Sequence, residues 1–151
     1  MDKKQLSEFI ESTLKAVDLY SPEAVKLLMG TAAQESGFCH YIHQLNNGPA
    51  LGWFQMEPNT FHDILFNFLN YRPDLKAKIL QVCNLREFTL TALMYNMRLA
   101  VIFCRLHYYR CPGKLPNTIE GMAEYWKEHH NTRKGKGTVE EFIFNYKKYV
   151  L

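Results

Sequence analysis

The stretch TAAQESGFCHYIHQLNNGPALGWFQMEPNT, Thr31 to Thr60, decides how the chain is read. It begins as the end of a helix, breaks into a loop rich in Asn, Gly and Pro, and sets Glu35 and Glu57 in one short segment. Upstream, Ser21-Pro22-Glu23 is a strong helix start: a capping hydroxyl, a proline at the first helical position, and an acid in the first turn, where the helix dipole favours it. Gly37 is a natural helix stop. The spacing therefore predicts a helix over 22–36 with Val25, Leu28, Met29 and Ala32 on its buried stripe. Glu35 falls seven residues after Leu28, almost on the same line, so a carboxyl group stands at the margin of an apolar face.

Outward from this stretch the apolar residues keep a helical period almost everywhere. Leu6, Phe9, Ile10, Leu14 and Val17 predict an amphipathic first helix. Thr60 with Asp63 reads as a cap for a third helix, which carries Phe61, Ile64, Leu65, Phe68 and Leu69 to a turn at Tyr71-Arg72-Pro73. A short helix through Leu75, Ile79, Leu80 and Val82 follows. From about Leu85 to Tyr109 the chain is apolar almost all round, which predicts one long helix buried at the centre of the domain. It is no membrane span, because only six consecutive apolar residues separate Arg98 from Arg105, against roughly 20 needed to cross a bilayer. Asn117 with Glu120 predicts the start of a helix through Met122, Ala123, Tyr125 and Trp126, and Thr138 with Glu141 a capping box for a last one through Val139, Phe142, Ile143, Tyr146, Tyr149 and Val150. No strand pattern exceeds the few residues around Leu51 to Met56, and there is no internal repeat. The fold class is all-α, with at most a small hairpin after the second helix, in a single domain over residues 1–151.

Composition fits a packed globular chain: 151 residues, 47% apolar, with ten Phe, nine Tyr and two Trp. The formal net charge of +3 is dispersed, apart from Arg133, Lys134 and Lys136 in one loop and Lys147 and Lys148 near the end. That is too mild for a nucleic-acid binder, although it suits work on a negatively charged polymer. Cys39, Cys83, Cys104 and Cys111 have no metal-site spacing, and a chain of this size needs no disulfide staple, so free buried thiols are expected. The start MDKKQLSEF carries no apolar signal-peptide core. The expectation is a soluble monomer made in a reducing cytoplasm and, if it works elsewhere, carried or released there.

A glutamate in the last turn of a helix, half enclosed by apolar neighbours, suits a general acid, because both surroundings disfavour its ionised form. Asn46, Asn47 and Gln55 in the loop it faces supply amides for sugar hydroxyl and acetamido groups. Glu57 is a possible second carboxylate for glycoside cleavage, although an acid just before Pro58 and a helix start is favoured electrostatically without any catalytic role. Trp53, Phe54, Tyr41 and Trp126 offer flat faces for stacking on sugar rings. His40 and His43 are spaced for metal ligation but lack further ligands in a recognisable pattern, and His129 and His130 read as polar loop residues. Ser36 lacks the strand-turn-helix setting of a nucleophile, and Gly135 and Gly137 lack the strand and the GK[ST] ending of a phosphate loop.

At these residues the sequence resembles the lytic transglycosylase and goose-type lysozyme superfamily. Glu35-Ser36-Gly37 is similar to the family's helix-ending E-S-G, and Gly52 to Thr60 (GWFQMEPNT) to its G-L-M-Q-x-M-P-x-T. Asn96-Met97-Arg98-Leu99-Ala100 resembles the N-I-R-x-G helix that packs behind the catalytic glutamate. His130-Asn131-Thr132 approximates the last motif, A-x-Y-N-A-G, with a histidine where the family has tyrosine. The resemblance covers roughly 24–131 and looks most like a phage-borne member. It implies a lysozyme-like helical domain that cleaves peptidoglycan glycan strands with Glu35 as the catalytic acid, and with Ser36, Trp53, Gln55, His130 and Asn131 at the substrate. Tyr125 and Tyr95 are the other candidates for the residue that positions Glu35, and Glu57 stands where the family usually has methionine. The implied route protonates the bond between N-acetylmuramic acid and N-acetylglucosamine and closes a 1,6-anhydro sugar; a hydrolytic lysozyme using Glu57, and a virion structural or wall-binding protein without the chemistry, are the alternatives. Neither route implies a metal or cofactor. Other virion proteins are possible partners, and nucleic acid is a weaker idea that rests on the Arg133 to Lys136 loop.

Overall fold

The structure, a computed structural model, describes residues 1–132 and 135–151. Two long helices come first, α1 (Lys3–Ala16) and α2 (Pro22–Ser36), then α3 (Pro58–Asn67), α4 (Pro73–Cys83) and the single turn α5 (Ala92–Tyr95). The central α6 (Met97–Tyr109), α7 (Ile119–Trp126) and α8 (Val139–Tyr149) follow, and a π-helical turn, Lys127–Asn131, extends α7. The expected all-α class holds. The extended segment after α2 carries only isolated bridges, His43 with Leu51 and Leu51 with Met56, and there is no hairpin strand among the described residues.

The caps explain the helix boundaries. Ser21 accepts from the Ala24 N–H at 3.1 Å with Pro22 in the first turn, and Gly37 closes α2 at φ 58°, a left-handed conformation that glycine adopts without the steric cost a Cβ would bring. Thr138 and Glu141 form the reciprocal capping box of α8. Elsewhere the structure corrects the sequence reading. The long helix expected over 85–109 is interrupted: residues 85–91 are irregular, with a bend and a turn, and Asn96 breaks the path at φ −102°, ψ 97°. The Asn96 side-chain oxygen Oδ1 accepts from the Leu99 N–H at 3.0 Å while its side-chain amide Nδ2 donates to the Cys83 carbonyl at 2.9 Å. A side chain that caps a new helix and ties off the end of α4 outcompetes continuation of the old one. The cap of α7 is Thr118 rather than Asn117. Helix α3 starts at Pro58, and Asp63 pairs instead with Arg110 at 2.7 Å.

Helix α6 divides the core. Its Val101, Cys104 and Tyr108 join Leu6, Ile10, Leu28, Trp126 and Phe142 in one apolar cluster. Its Leu99, Ile102, Phe103 and Leu106 join Phe61, Ile64 and Ile79 in another. Helix α2 is buried on nearly every side and packs along α8. That approach requires Gly30, where a Cβ would lie 2.5 Å from Phe142 Cζ and 2.7 Å from Tyr146 Cδ2. None of the helices of the described residues is long and apolar enough to cross a membrane. Of the basic loop on which the nucleic-acid idea rests, Arg133 and Lys134 lie outside the described residues.

Candidate active site

The C-terminal end of α2 opens into a cleft of about 610 Å³ walled by the 41–60 segment on one side and by the turn after α7 on the other. Glu35 lines it, with its side chain 17% exposed. Two groups converge on one oxygen of that carboxyl group. The Trp126 indole N–H donates to Glu35 Oε1 at 2.7 Å, and His130 Nδ1 lies 3.2 Å from the same atom. Among the described residues, no hydrogen bond reaches Oε2. Tyr41 holds the backbone of the same residue, its hydroxyl donating to the Glu35 carbonyl at 2.8 Å.

The loop is fastened to the helix by Ser36. Its single hydroxyl hydrogen goes to the Trp53 carbonyl at 2.6 Å in preference to the Ala32 carbonyl at 3.2 Å, and its oxygen accepts from the Cys39 N–H at 3.0 Å. Ser36 is fully buried, so it positions the turn and does not touch the cleft. The turn is closed by two bonds between Leu51 and Met56, at 2.9 and 3.0 Å. Gln55 takes φ 48° there and donates its amide to the Gly52 carbonyl at 2.8 Å, which leaves its own side-chain carbonyl as an acceptor at the cleft wall.

Trp53 is a correction. It is 8% exposed, sits edge-on to Phe9 with ring centroids 6.2 Å apart, and belongs to the core. A loop position predicts a Trp free to stack on sugar, but α1 covers this one, and Phe54 is buried too. Trp126 is fully buried as well and meets the cleft only through its indole N–H, so of the four expected stacking rings only Tyr41 is left in the cleft.

The other wall is built by the π-helical turn. His107 on α6 donates its Nε2–H to the His129 carbonyl at 2.7 Å, which fixes its tautomer because a carbonyl only accepts. The protein packed around the His107 ring, with His130 beside it, lowers its pKa to about 4, so it is neutral at pH 7. His130 is wedged between His107 and Tyr108, at ring distances of 5.5 and 5.9 Å, and its side chain is 7% exposed. The Lys127 ammonium is shared among Asn131 Oδ1 and the carbonyls of Gly135 and Gly137, at 2.6 to 2.8 Å, which folds the next loop against the turn.

No protein-family model, curated protein or solved structure matches the chain. The site therefore rests on its own chemistry. Of the residues singled out in the sequence, Glu35, Gln55, Glu57, His130 and Asn131 come together around this cleft, and Ser36 and Trp53 do not. The Glu57 side chain makes no capping bond to α3, although its residue occupies the cap position. Tyr125 and Tyr95 do not touch Glu35: the Tyr125 hydroxyl donates to the Tyr108 carbonyl at 3.3 Å, and Tyr95 is 66% exposed. Sequence reasoning missed His107, Lys127 and the polar end of Trp126. One signal was present for Trp126, which precedes His130 by four residues, the spacing that puts two side chains on one side of a helical path. His40 and His43 stay apart from any such centre, and among the described residues no group of three or more His, Cys, Asp or Glu is arranged to hold a metal ion. All four cysteines are unpaired, with burial pushing Cys39 up to about 12 and Cys83 to about 11.

Proposed function

We propose that this chain is a peptidoglycan-cleaving enzyme of the lytic transglycosylase and goose-type lysozyme kind, borne by a phage and carried to or released at the bacterial wall. The observation that carries the reading is the Glu35 carboxyl group, held by one oxygen at the end of α2 and opening into a polar cleft. The arrangement supplies a single acid with an occupied oxygen and an available one. In the first step Glu35 gives its proton to the oxygen linking N-acetylmuramic acid to N-acetylglucosamine, and the bond to the muramic C1 breaks. In the second, the carboxylate takes the proton of the muramic C6 hydroxyl as that oxygen bonds to C1, so Glu35 is restored and no water is consumed. Gln55 and Asn131 on the cleft walls provide carbonyl and amide groups for the sugar substituents.

The cleft mixes Glu35, Glu57 and Glu141 with Lys136 among its described lining residues, which favours a substrate read by hydrogen bonds over one held by bulk charge. A second reading has one specific observation behind it: Glu57 lines the same cleft with its carboxylate unused by the helix it caps, and is thus available to activate a water. Hydrolysis would then leave a reducing sugar. A zymogram on purified peptidoglycan tests the proposal. Wild-type protein clears the gel, and Glu35→Gln, folded by circular dichroism, does not. Clearing by Glu35→Gln, or no clearing by the wild type as for a wall-binding protein, refutes it.

A further inference from the structure

We infer that Trp126 is a positioning residue for the reaction proposed above: its indole N–H makes Oε1 of Glu35 the accepting oxygen and so selects Oε2 as the one that carries the transferable proton. The inference rests on that reading of Glu35 and deepens it. A protonated carboxyl group has one hydroxyl oxygen and one carbonyl oxygen, and a donor aimed at one of the two favours the tautomer with hydrogen on the other. The Trp126 nitrogen can only donate, unlike a tyrosine hydroxyl or a histidine ring, so the assignment does not depend on a rotor or a tautomer. At 2.7 Å the bond is of the short, charge-assisted kind once Glu35 has lost its proton.

The indole is held from behind. Phe142 of α8 packs against it with ring centroids 5.4 Å apart and an interplanar angle of 32°. Gly137 lies so close that a Cβ there would come within 2.6 Å of Trp126 Cη2. Phe142 is in turn seated on Gly30 of α2, the helix that bears Glu35. The contacts close a loop from α2 through α8 and α7 back to the end of α2, so the donor and its acceptor are fixed by one packed unit. His130 Nδ1 reaches the same Oε1 at 3.2 Å, and the two groups together occupy that oxygen from the α7 side.

Two measurements test the role. In the first, Trp126 is replaced by benzothienylalanine, which keeps the bicyclic shape and puts sulfur where the N–H was, with Trp126→Phe alongside. The expected result for both is a kcat about ten- to hundredfold lower with KM within about twofold of wild type, the loss of one hydrogen bond to a charged group. A wild-type kcat in the benzothienylalanine protein overturns the inference, because shape alone would then suffice. In the second, the indole N–H proton resonances are recorded in 15N-labelled protein. Glu35→Ala is expected to shift the Trp126 signal and leave that of Trp53, buried against Phe9, in place; an unmoved Trp126 signal overturns the inference with no reference to activity. Failure of the parent proposal is distinguishable, since it appears as muralytic activity surviving in Glu35→Gln or absent from the wild type, and the resonance measurement reads the Trp126 contact in either case.

Discussion

Acidification from pH 7 to 4 should destabilise this protein through one identifiable histidine. His107 binds its proton near the ordinary value of 6.5 when the chain is unfolded but only at about 4 when folded. Between those values the unfolded state holds more protons, so stability falls as pH falls, and the contribution of neutral His107 is fully present only above about pH 6.5. At about 1.4 kcal/mol for each pH unit, the loss reaches roughly 2 to 3 kcal/mol by pH 4. His107→Gln is the matched control, because an amide N–H can still donate to the His129 carbonyl while binding no proton in this range. Urea unfolding of both proteins at intervals from pH 7 to 4 isolates the term, since every other group titrates in each. Convergence of the two stability curves as pH falls, with the wild type losing roughly 2 to 3 kcal/mol more, is expected. Parallel curves would refute the neutral, desolvated His107 and with it the pinned turn that presents His130.

Gly30→Ala should destabilise by about 1 to 2 kcal/mol in chemical denaturation, because the clash with Phe142 and Tyr146 outweighs the gain of up to about 1 kcal/mol in helix propensity; a stabilised variant would contradict the close packing of α2 on α8. Asn96→Ala removes the α6 cap and leaves the Cys83 carbonyl without its donor, at a cost of about 1 to 2 kcal/mol, which thermal unfolding would register. The thiols should be slow toward a disulfide reagent at pH 8 in the native protein and fast in urea, given that burial holds Cys39 at about 12 and Cys83 at about 11. Prompt native reaction of Cys39 would contradict its packing.

What the sequence made legible follows the range of the signals. Helix α2 was readable to the residue because its limits are set by adjacent groups, Ser21-Pro22 at one end and Gly37 at the other. The capping box of α8 is equally local. The break at Asn96 was hidden, since the apolar pattern runs on through it and the second partner of its side chain is the Cys83 carbonyl at the end of another helix. Glu35 was legible from its place at the end of an apolar stripe. Its contact with Trp126 joins residues 91 positions apart, and no periodicity within either helix encodes that meeting. Trp53 misled for the converse reason: a loop position suggests access, and only the tertiary approach of Phe9 removes it.

The central claim is that Glu35 cleaves a glycan strand by acid catalysis without a second carboxylate. Mass spectrometry of the fragments released from purified peptidoglycan tests it most directly. The account predicts muropeptides ending in 1,6-anhydro-muramic acid, lighter by one water than their reducing counterparts, from the wild type and from Glu57→Gln, and none from Glu35→Gln. Reducing ends that disappear in Glu57→Gln would contradict it, as would the absence of any released fragment.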